Sequence, residues 1–143
     1  MKILVPVDGS RDAMEGARMA LDLARAKGGQ VALISVVPYN PSIELEISAR
    51  ARDSLEGKLQ RQAEEAITKA KEFFQQNGMT PQATILTSSS VADEIIKLAK
   101  EEKFDLIVIG SRGVGASGRF FLGGTALKVV SHAPCSVLVS KAV

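Results

Sequence analysis

The segment from Leu106 to Gly124 contains the residues of this chain that are best suited to bind a ligand. It reads LIVIGSRGVGASGRFFLGG, an apolar run that leads into a glycine-rich, basic loop. Glycines let the backbone turn through positive φ and bring several N–H groups close to an anion. A helix that begins near Gly123 would add the positive end of its dipole. The segment therefore predicts a binding loop for phosphate.

The charge distribution agrees with a small anionic ligand. No Asp or Glu follows Asp105, whereas Arg112, Arg119, Lys128 and Lys141 all do. The net charge of the whole chain is only +2 and aromatic residues make up 4% of it. Such values do not predict a polyanionic partner or a surface for stacking bases. We therefore expect no nucleic-acid partner.

Other nucleotide and catalytic motifs fit less well. Residues 113–118 read GVGASG, but a dinucleotide fingerprint belongs after the first strand and requires an acid about 20 residues later, which is absent here. The chain lacks the P-loop GxxxxGK[ST] and the GxSxG elbow of hydrolases. A phospho-acceptor receiver domain would need an acidic pair after the first strand, where Asp8 stands alone, and an Asp where Thr87–Ser88 is found.

Strand and helix patterns alternate along the chain. The predicted strands are Lys2–Val7, Val31–Val37, Gln82–Thr87, Asp105–Ile109 and Ser136–Ser140. The predicted helices run from the N-cap Ser10 to Gly28, along the apolar stripe Leu59–Phe74, from the N-cap Ser90, and over Gly124–Ser131.

This alternation predicts the α/β class, as a doubly wound five-stranded parallel sheet with helices on both faces and the strand order 3-2-1-4-5. We expect a single domain over residues 1–143. Ligands of such sheets bind beyond the carboxyl ends of the strands, where the winding direction reverses. That point lies between the first and fourth strands, so Asp8 and Gly9 should face Gly110–Gly113.

Cysteine content and hydropathy bear on the cellular setting. Cys135 is the single cysteine, which excludes an intrachain disulfide. Asp8 interrupts the apolar N-terminus too early for a signal peptide, and no apolar run approaches the ~20 residues of a membrane helix. We expect a soluble, cytoplasmic protein with no membrane partner.

Three stretches resemble the universal stress protein family. They are Val5–Ser10 (VPVDGS), the spacing G-x2-G-x9-G that begins at Gly110, and Ser131–Val139 (SHAPCSVLV). The resemblance implies a Rossmann-like fold similar to the adenine nucleotide alpha hydrolases. It also implies ATP, or AMP or ADP, which Mg²⁺ could accompany, with phosphates in the glycine loop, the Asp after the first strand on the nucleoside and the end of the second strand beside adenine. The nucleotide-binding positions assigned in this way are Pro6, Val7, Asp8, Ser10, Val37, Gly110, Arg112, Gly113, Gly115, Gly123, Gly124 and Thr125.

One position departs from the family pattern. The family has a hydroxyl residue after the third glycine, whereas this chain has Gly124, with Thr125 one position later. Gly124 keeps a backbone N–H but lacks a side-chain donor, which is worth about 1–2 kcal/mol beside a charged group. We therefore expect weaker phosphate binding or a preference for a different nucleotide, unless Thr125 compensates.

Three functions remain open after these comparisons of motifs. The first is a nucleotide-dependent switch or sensor in a stress response, the second a weak ATPase, and the third a nucleotide-free protein that acts through protein contacts. Hydrolysis requires a group that positions water and a metal that gathers charge. Asp8 could help to hold a metal, but no second carboxylate or general base is evident near the loop. Binding without turnover is therefore favoured.

Two further segments concern partners. Ser136–Ser140 carries no charge, and at a sheet edge it would be free to pair with a second copy. A homodimer through this strand is therefore predicted, and the family resemblance implies one as well. Between Pro38 and Arg52, apolar residues alternate with polar ones, which fits either an extended lid or an early start of the long helix. Such a segment could cover the nucleotide or contact the partner subunit.

Overall fold

The computed structural model describes residues 1–39, 48–112 and 122–142. Strands and helices alternate through these residues, as predicted. The strands are β1 (Lys2–Pro6), β2 (Gln30–Pro38), β3 (Gln82–Ser88), β4 (Leu106–Gly110) and β5 (Ser136–Ser140). The helices are α1 (Arg11–Lys27), α2 (Ala49–Gln76), α3 (Val91–Glu101) and α4 (Gly124–His132).

The five strands form one parallel sheet in the order β3-β2-β1-β4-β5, which confirms the predicted topology. Ile3 of β1 is in register with Val31 of β2 on one side and with Leu106 of β4 on the other. The chain moves outward from β1 to β2 and β3, and then crosses back to β4. The winding direction therefore reverses between β1 and β4, and their carboxyl ends flank a crevice.

The predicted helix boundaries arise from local capping. The hydroxyl of Ser10 accepts a hydrogen bond from the N–H of Ala13 at 3.2 Å and begins α1. Ser90 does the same for α3, and Gly28, with φ of 66°, ends α1 in the left-handed conformation. Ser48 caps α2, so residues 48–52 belong to an early start of the long helix. The rest of that ambiguous segment, residues 40–47, lies outside the described part of the chain.

A hydrophobic core lies on each face of the sheet. On one face Val5 and Leu33 pack with Phe74 of α2, and all three side chains are buried. On the other face Leu4 and Ile107 pack with α3 and α4. Successive residues of a strand point to opposite faces, so strands buried on both sides are apolar throughout. Among the described helices, none has both the length and the apolarity needed to cross a membrane.

Candidate functional site

A cavity of about 340 Å³ lies at the carboxyl ends of β1, β2 and β4, between α2 on one side and α3 and α4 on the other. This is the crevice that the strand order predicts. The structure brings most of the predicted site residues to its wall. Those that line it are Pro6, Val7, Asp8, Ser10, Gly110, Arg112, Gly123, Gly124 and Thr125.

Three predicted positions are not part of this described wall. Val37 is only 5% exposed and is not among the lining residues, although β2 contributes Ile34, Ser35, Val36 and Pro38. Gly113 and Gly115 lie outside the described residues.

Asp8 is at the turn between β1 and α1. It is exposed, and one of its carboxylate oxygens accepts a hydrogen bond from the N–H of Ser10 at 2.9 Å. Gly9, with φ of 86°, lies between them in a conformation that side-chain-bearing residues rarely adopt. Asp8 therefore braces the turn into α1, and because a carboxylate has two oxygens this bond is compatible with a ligand contact.

Gly110 allows α1 to approach the end of β4. A Cβ atom at this position would lie 2.8 Å from the backbone nitrogen of Ala13 and 3.0 Å from the carbonyl carbon of Asp12. These are backbone atoms, which cannot move aside as a flexible side chain can. Glycine at this position therefore has a packing reason that does not depend on phosphate.

The N-terminus of α4 offers open backbone donors to the cavity. The N–H of Gly123 donates to the carbonyl of Ser111 at 2.7 Å and closes the loop, so it is already used. The N-cap residue Gly123 has no side chain that could cap this helix, and a Cβ atom on Gly124 would meet no described atom within 4 Å. The first N–H groups of any helix lack intrahelical partners and attract anions. Gly124 and Thr125 thus form the part of the described wall that best suits a phosphate.

Asp12 is a buried charged residue beside the cavity that the sequence did not reveal. Its side chain is 5% exposed. One carboxylate oxygen accepts a hydrogen bond from the hydroxyl of Ser111 at 2.6 Å, and the other accepts one from the N–H of Ala142 at 2.7 Å. Nε of Arg112 lies 3.6 Å from the first of these oxygens. Asp12 therefore joins the start of the glycine loop to the chain segment that follows β5.

The charge of Asp12 changes the electrostatics of the cavity. Burial alone would raise the pKa of this carboxyl, but the hydrogen bonds from Ser111 and Ala142 and the positive charge of Arg112 outweigh it. The pKa of Asp12 therefore lies below its usual value, and the group is ionised at neutral pH. Arg112 lines the cavity beside this carboxylate, so its charge is shared between Asp12 and any anion that binds.

A metal ion would need help from its ligand at this site. Within residues 1–39, 48–112 and 122–142, no three or more His, Cys, Asp or Glu side chains lie close enough to hold one. Asp8 is the carboxylate in the described cavity wall, while the oxygens of Asp12 are already engaged. Mg²⁺ commonly binds through one or two carboxylates together with substrate phosphates. Asp8 suits such a shared site.

Comparisons with known proteins agree with this architecture. The sequence profile of the universal stress protein family matches residues 1–141. A universal stress protein of Thermus aquaticus is 36% identical over 96% of this chain and 96% of its own length. The solved structure of hypothetical protein MJ0577 has a TM-score of 0.83 at 26% identity, covering 99% of this chain and 96% of that one. A universal stress protein from Archaeoglobus fulgidus, solved in complex with dAMP, has the same fold, with a TM-score of 0.69 at 24% identity, covering 99% of this chain and 98% of that one.

Proposed function

Because the chain belongs to the universal stress protein family, we propose that its cavity binds an adenine nucleotide. The phosphates lie at the N-terminus of α4 beside Arg112, and the nucleoside lies over the ends of β1 and β2. The observation that carries this proposal is the start of α4, which has a glycine as its N-cap residue and opens onto a cavity with otherwise largely apolar walls. The dAMP bound to the Archaeoglobus fulgidus protein of the same fold is consistent with an adenine ligand.

The proposed ligand is ATP, with ADP and AMP as alternative occupants and Mg²⁺ shared between Asp8 and the phosphates. The proposed role is that of a stress-response switch or sensor in the cytoplasm. ATP and its hydrolysis products would favour different conformations or partners only if each binds these states with different affinity. Binding is proposed in preference to turnover because the described cavity wall contains one carboxylate and no evident general base. Sustained phosphate release that is lost in Asp8→Ala would instead support the ATPase.

The phosphate position can be tested by restoring the hydroxyl that the family has at Gly124. Gly124→Ser is expected to tighten ATP and AMP binding by about 5- to 30-fold, because a hydroxyl that meets a charged phosphate contributes about 1–2 kcal/mol. The new side chain fits, since no described atom lies within 4 Å of its Cβ position. Isothermal titration calorimetry on the wild-type protein and the variant measures the change.

Gly124→Ala is the matched control for this substitution. It adds the same Cβ atom and restricts the backbone in the same way but provides no hydroxyl. Its affinity for ATP and AMP should therefore remain within about twofold of wild type. An equal increase in nucleotide affinity in Gly124→Ala and Gly124→Ser would show that the phosphate does not contact the new hydroxyl. Failure of the wild-type protein to bind any adenine nucleotide at millimolar concentration would refute the proposed function and leave the nucleotide-free alternative.

We also propose a homodimer that forms through β5. This strand is at one edge of the sheet and pairs only with β4 among the described strands. Helix α4 contacts β5 and exposes two large apolar side chains, Leu127 at 54% and Val130 at 45%. An uncharged edge strand beside exposed apolar residues is suited to pairing with an identical copy.

Light scattering at micromolar concentration tests the dimer. The wild-type protein is expected to be dimeric, and Ser136→Lys is expected to be mainly monomeric, because lysine on an edge strand opposes strand pairing. Ser136 is exposed, so the substitution should leave the fold intact. Ser54→Lys, at an exposed position of α2, adds the same charge away from β5 and should remain dimeric. A monomeric wild-type protein would contradict the proposal.

A further inference from the structure

Asp12 lies beside the phosphate end of the cavity and is fixed by the protein on several sides. Its backbone carbonyl accepts a hydrogen bond from the hydroxyl of Ser140 at 2.8 Å, and its carboxylate accepts one from the N–H of Ala142 at 2.7 Å. It also packs closely against the end of β4, since a Cβ atom on Gly110 would lie 3.1 Å from the Cβ of Asp12. Both the backbone and the carboxylate of Asp12 are therefore held in one position.

Arg112 connects this carboxylate with the N-terminus of α4. Its Nε is 3.6 Å from one carboxylate oxygen of Asp12, and the residue lines the cavity. A Cβ atom on Gly123, the N-cap residue of α4, would lie 3.4 Å from the Cα of Arg112. The same residue therefore contacts Asp12 through its side chain and adjoins the proposed phosphate position through its backbone.

An arginine side chain that is already ordered binds phosphate at a lower entropic cost than a mobile one. The side chain of Arg112 is 30% exposed, and long side chains lose rotamer freedom when a ligand orders them. A guanidinium is planar and has five N–H donors, so it can contact a carboxylate and a phosphate at the same time. The contact with Asp12 can therefore order Arg112 without preventing it from binding an anion.

The negative charge of Asp12 has an opposite effect. It weakens the attraction of Arg112 for an anion, as any carboxylate beside a cation does. The hydrogen bonds from Ser111 and Ala142 partly offset this charge, because both donors point at the carboxylate oxygens. We therefore expect the ordering of Arg112 to dominate. The two effects predict opposite signs for the loss of the carboxylate, so an experiment can distinguish them.

We propose that Asp12 positions Arg112 for the phosphate of the bound nucleotide. The inference rests on the proposed nucleotide site, and it assigns a role to a residue that does not itself line the described part of the cavity. Asp12 acts on the ligand through Arg112. This role requires an acceptor that faces Nε, which a carboxylate supplies and an amide N–H₂ does not.

Titrations with AMP and adenosine test this role, because the two ligands differ only in the phosphate. Asp12→Asn keeps the size of the side chain and, with its oxygen on the N–H of Ala142, turns an N–H₂ donor toward Nε of Arg112. It is expected to weaken AMP binding about 3- to 10-fold, the cost of ordering one flexible side chain, and to change adenosine binding by less than about twofold. Isothermal titration calorimetry measures both affinities. Tighter AMP binding in Asp12→Asn would show that the carboxylate competes with the phosphate and would overturn the proposal.

Phe74→Leu is the matched control for a loss of stability. Phe74 is fully buried in the core between the sheet and α2, and it does not line the described part of the cavity. Removing part of a buried ring destabilises a protein, so this variant and Asp12→Asn should both have a lower melting temperature. Only Asp12→Asn should lower the ratio of AMP to adenosine affinity. An equal decrease of this ratio in Phe74→Leu would show that it follows stability and would overturn the proposal.

A double-mutant cycle with Arg112→Gln tests whether Asp12 acts through Arg112. Arg112→Gln alone is expected to weaken AMP binding at least about 10-fold, because hydrogen bonds between charged groups are strong. Adding Asp12→Asn to this variant should cause no further loss, since the side chain that Asp12 positions is absent. A further loss as large as in the wild-type background, or wild-type AMP binding by Arg112→Gln, would overturn the proposal. The cycle uses AMP alone and does not depend on measurable adenosine binding.

The outcomes separate this inference from the function on which it rests. If the wild-type protein binds no adenine nucleotide, both the proposed function and the role of Asp12 fail. If it binds AMP but Asp12→Asn keeps the wild-type AMP affinity, only the role of Asp12 fails. A loss of AMP affinity that depends on Arg112 and is not reproduced by Phe74→Leu supports the proposal.

Discussion

Replacement of Asp12 by asparagine is expected to lower the free energy of unfolding by about 2–4 kcal/mol at neutral pH. Both carboxylate oxygens of Asp12 accept hydrogen bonds, one from the hydroxyl of Ser111 and the other from the N–H of Ala142. An asparagine can present only one oxygen, so with that oxygen on the N–H of Ala142 its amide N–H₂ would face the Ser111 hydroxyl, which can turn to accept, and Nε of Arg112, which cannot accept. Arg112 would also lose the buried charge beside it. Chemical denaturation of the wild-type protein and the variant measures the loss.

Asp22→Asn is the matched control for this prediction. Asp22 is on the same helix and pairs with Arg18 at 3.2 Å, but both side chains are exposed. Exposed ion pairs contribute little, so this variant should remain within about 0.5 kcal/mol of wild type. A loss of less than about 0.5 kcal/mol in Asp12→Asn would contradict a structural role for the buried carboxylate.

The contribution of Asp12 should also depend on pH. The pKa of this carboxyl is lower in the folded protein than in the unfolded chain, so the unfolded chain takes up a proton first as the pH falls. The stability gained from the charged form is complete above the unfolded value of about 3.9 and is lost as the pH falls through the lower folded value. The difference in the free energy of unfolding between wild type and Asp12→Asn should therefore be constant from about pH 6 to 8 and become smaller below about pH 4. A difference that stays constant down to pH 2 would show that the charged form of Asp12 is not the source of the stability.

The fold was largely predictable because its signals are local. Capping serines, helix-ending glycines and apolar runs identify elements from neighbouring residues alone, and Ser136–Ser140 agrees with the observed strand at both ends. The start of α2 was harder to place. None of the side chains at the start of α2 is buried. The sequence there has no apolar stripe with the spacing of a helix. Ser48 was the available signal, as an N-cap of the kind that was recognised at Ser10 and Ser90.

The site was predictable only where one strand end determines it. Asp8 and Gly110 follow directly from the ends of β1 and β4, whereas β2 lines the cavity with several successive residues, and Val37 is not one of them. Asp12 could not be found in this way. An acid in the first turn of a helix is usually exposed and favoured by the helix dipole. Its partners Ser111 and Ala142 are far away in the sequence, so no local pattern connects them to it.

Gly110→Ala is expected to destabilise the protein by about 1–3 kcal/mol and to weaken nucleotide binding as well. The added Cβ would lie 2.8 Å from the backbone nitrogen of Ala13 and 3.1 Å from the Cβ of Asp12. To relieve this contact, the first turn of α1 must move away from β4. Asp8 and Ser10 at the cavity wall would move with it, together with the Asp12 that holds Arg112. Chemical denaturation and AMP titration of the same variant measure the two effects.

Gly124→Ala separates this packing effect from the general cost of replacing a glycine in the loop. Gly124 also lines the cavity, but its Cβ position is open and it lies at the start of a helix, where alanine is favourable. We expect this variant to be as stable as wild type or slightly more stable. If Gly110→Ala and Gly124→Ala were equally stable, the contact with α1 would not require glycine at position 110. The glycine at the end of β4 would then have only the anion-binding role that the sequence suggested.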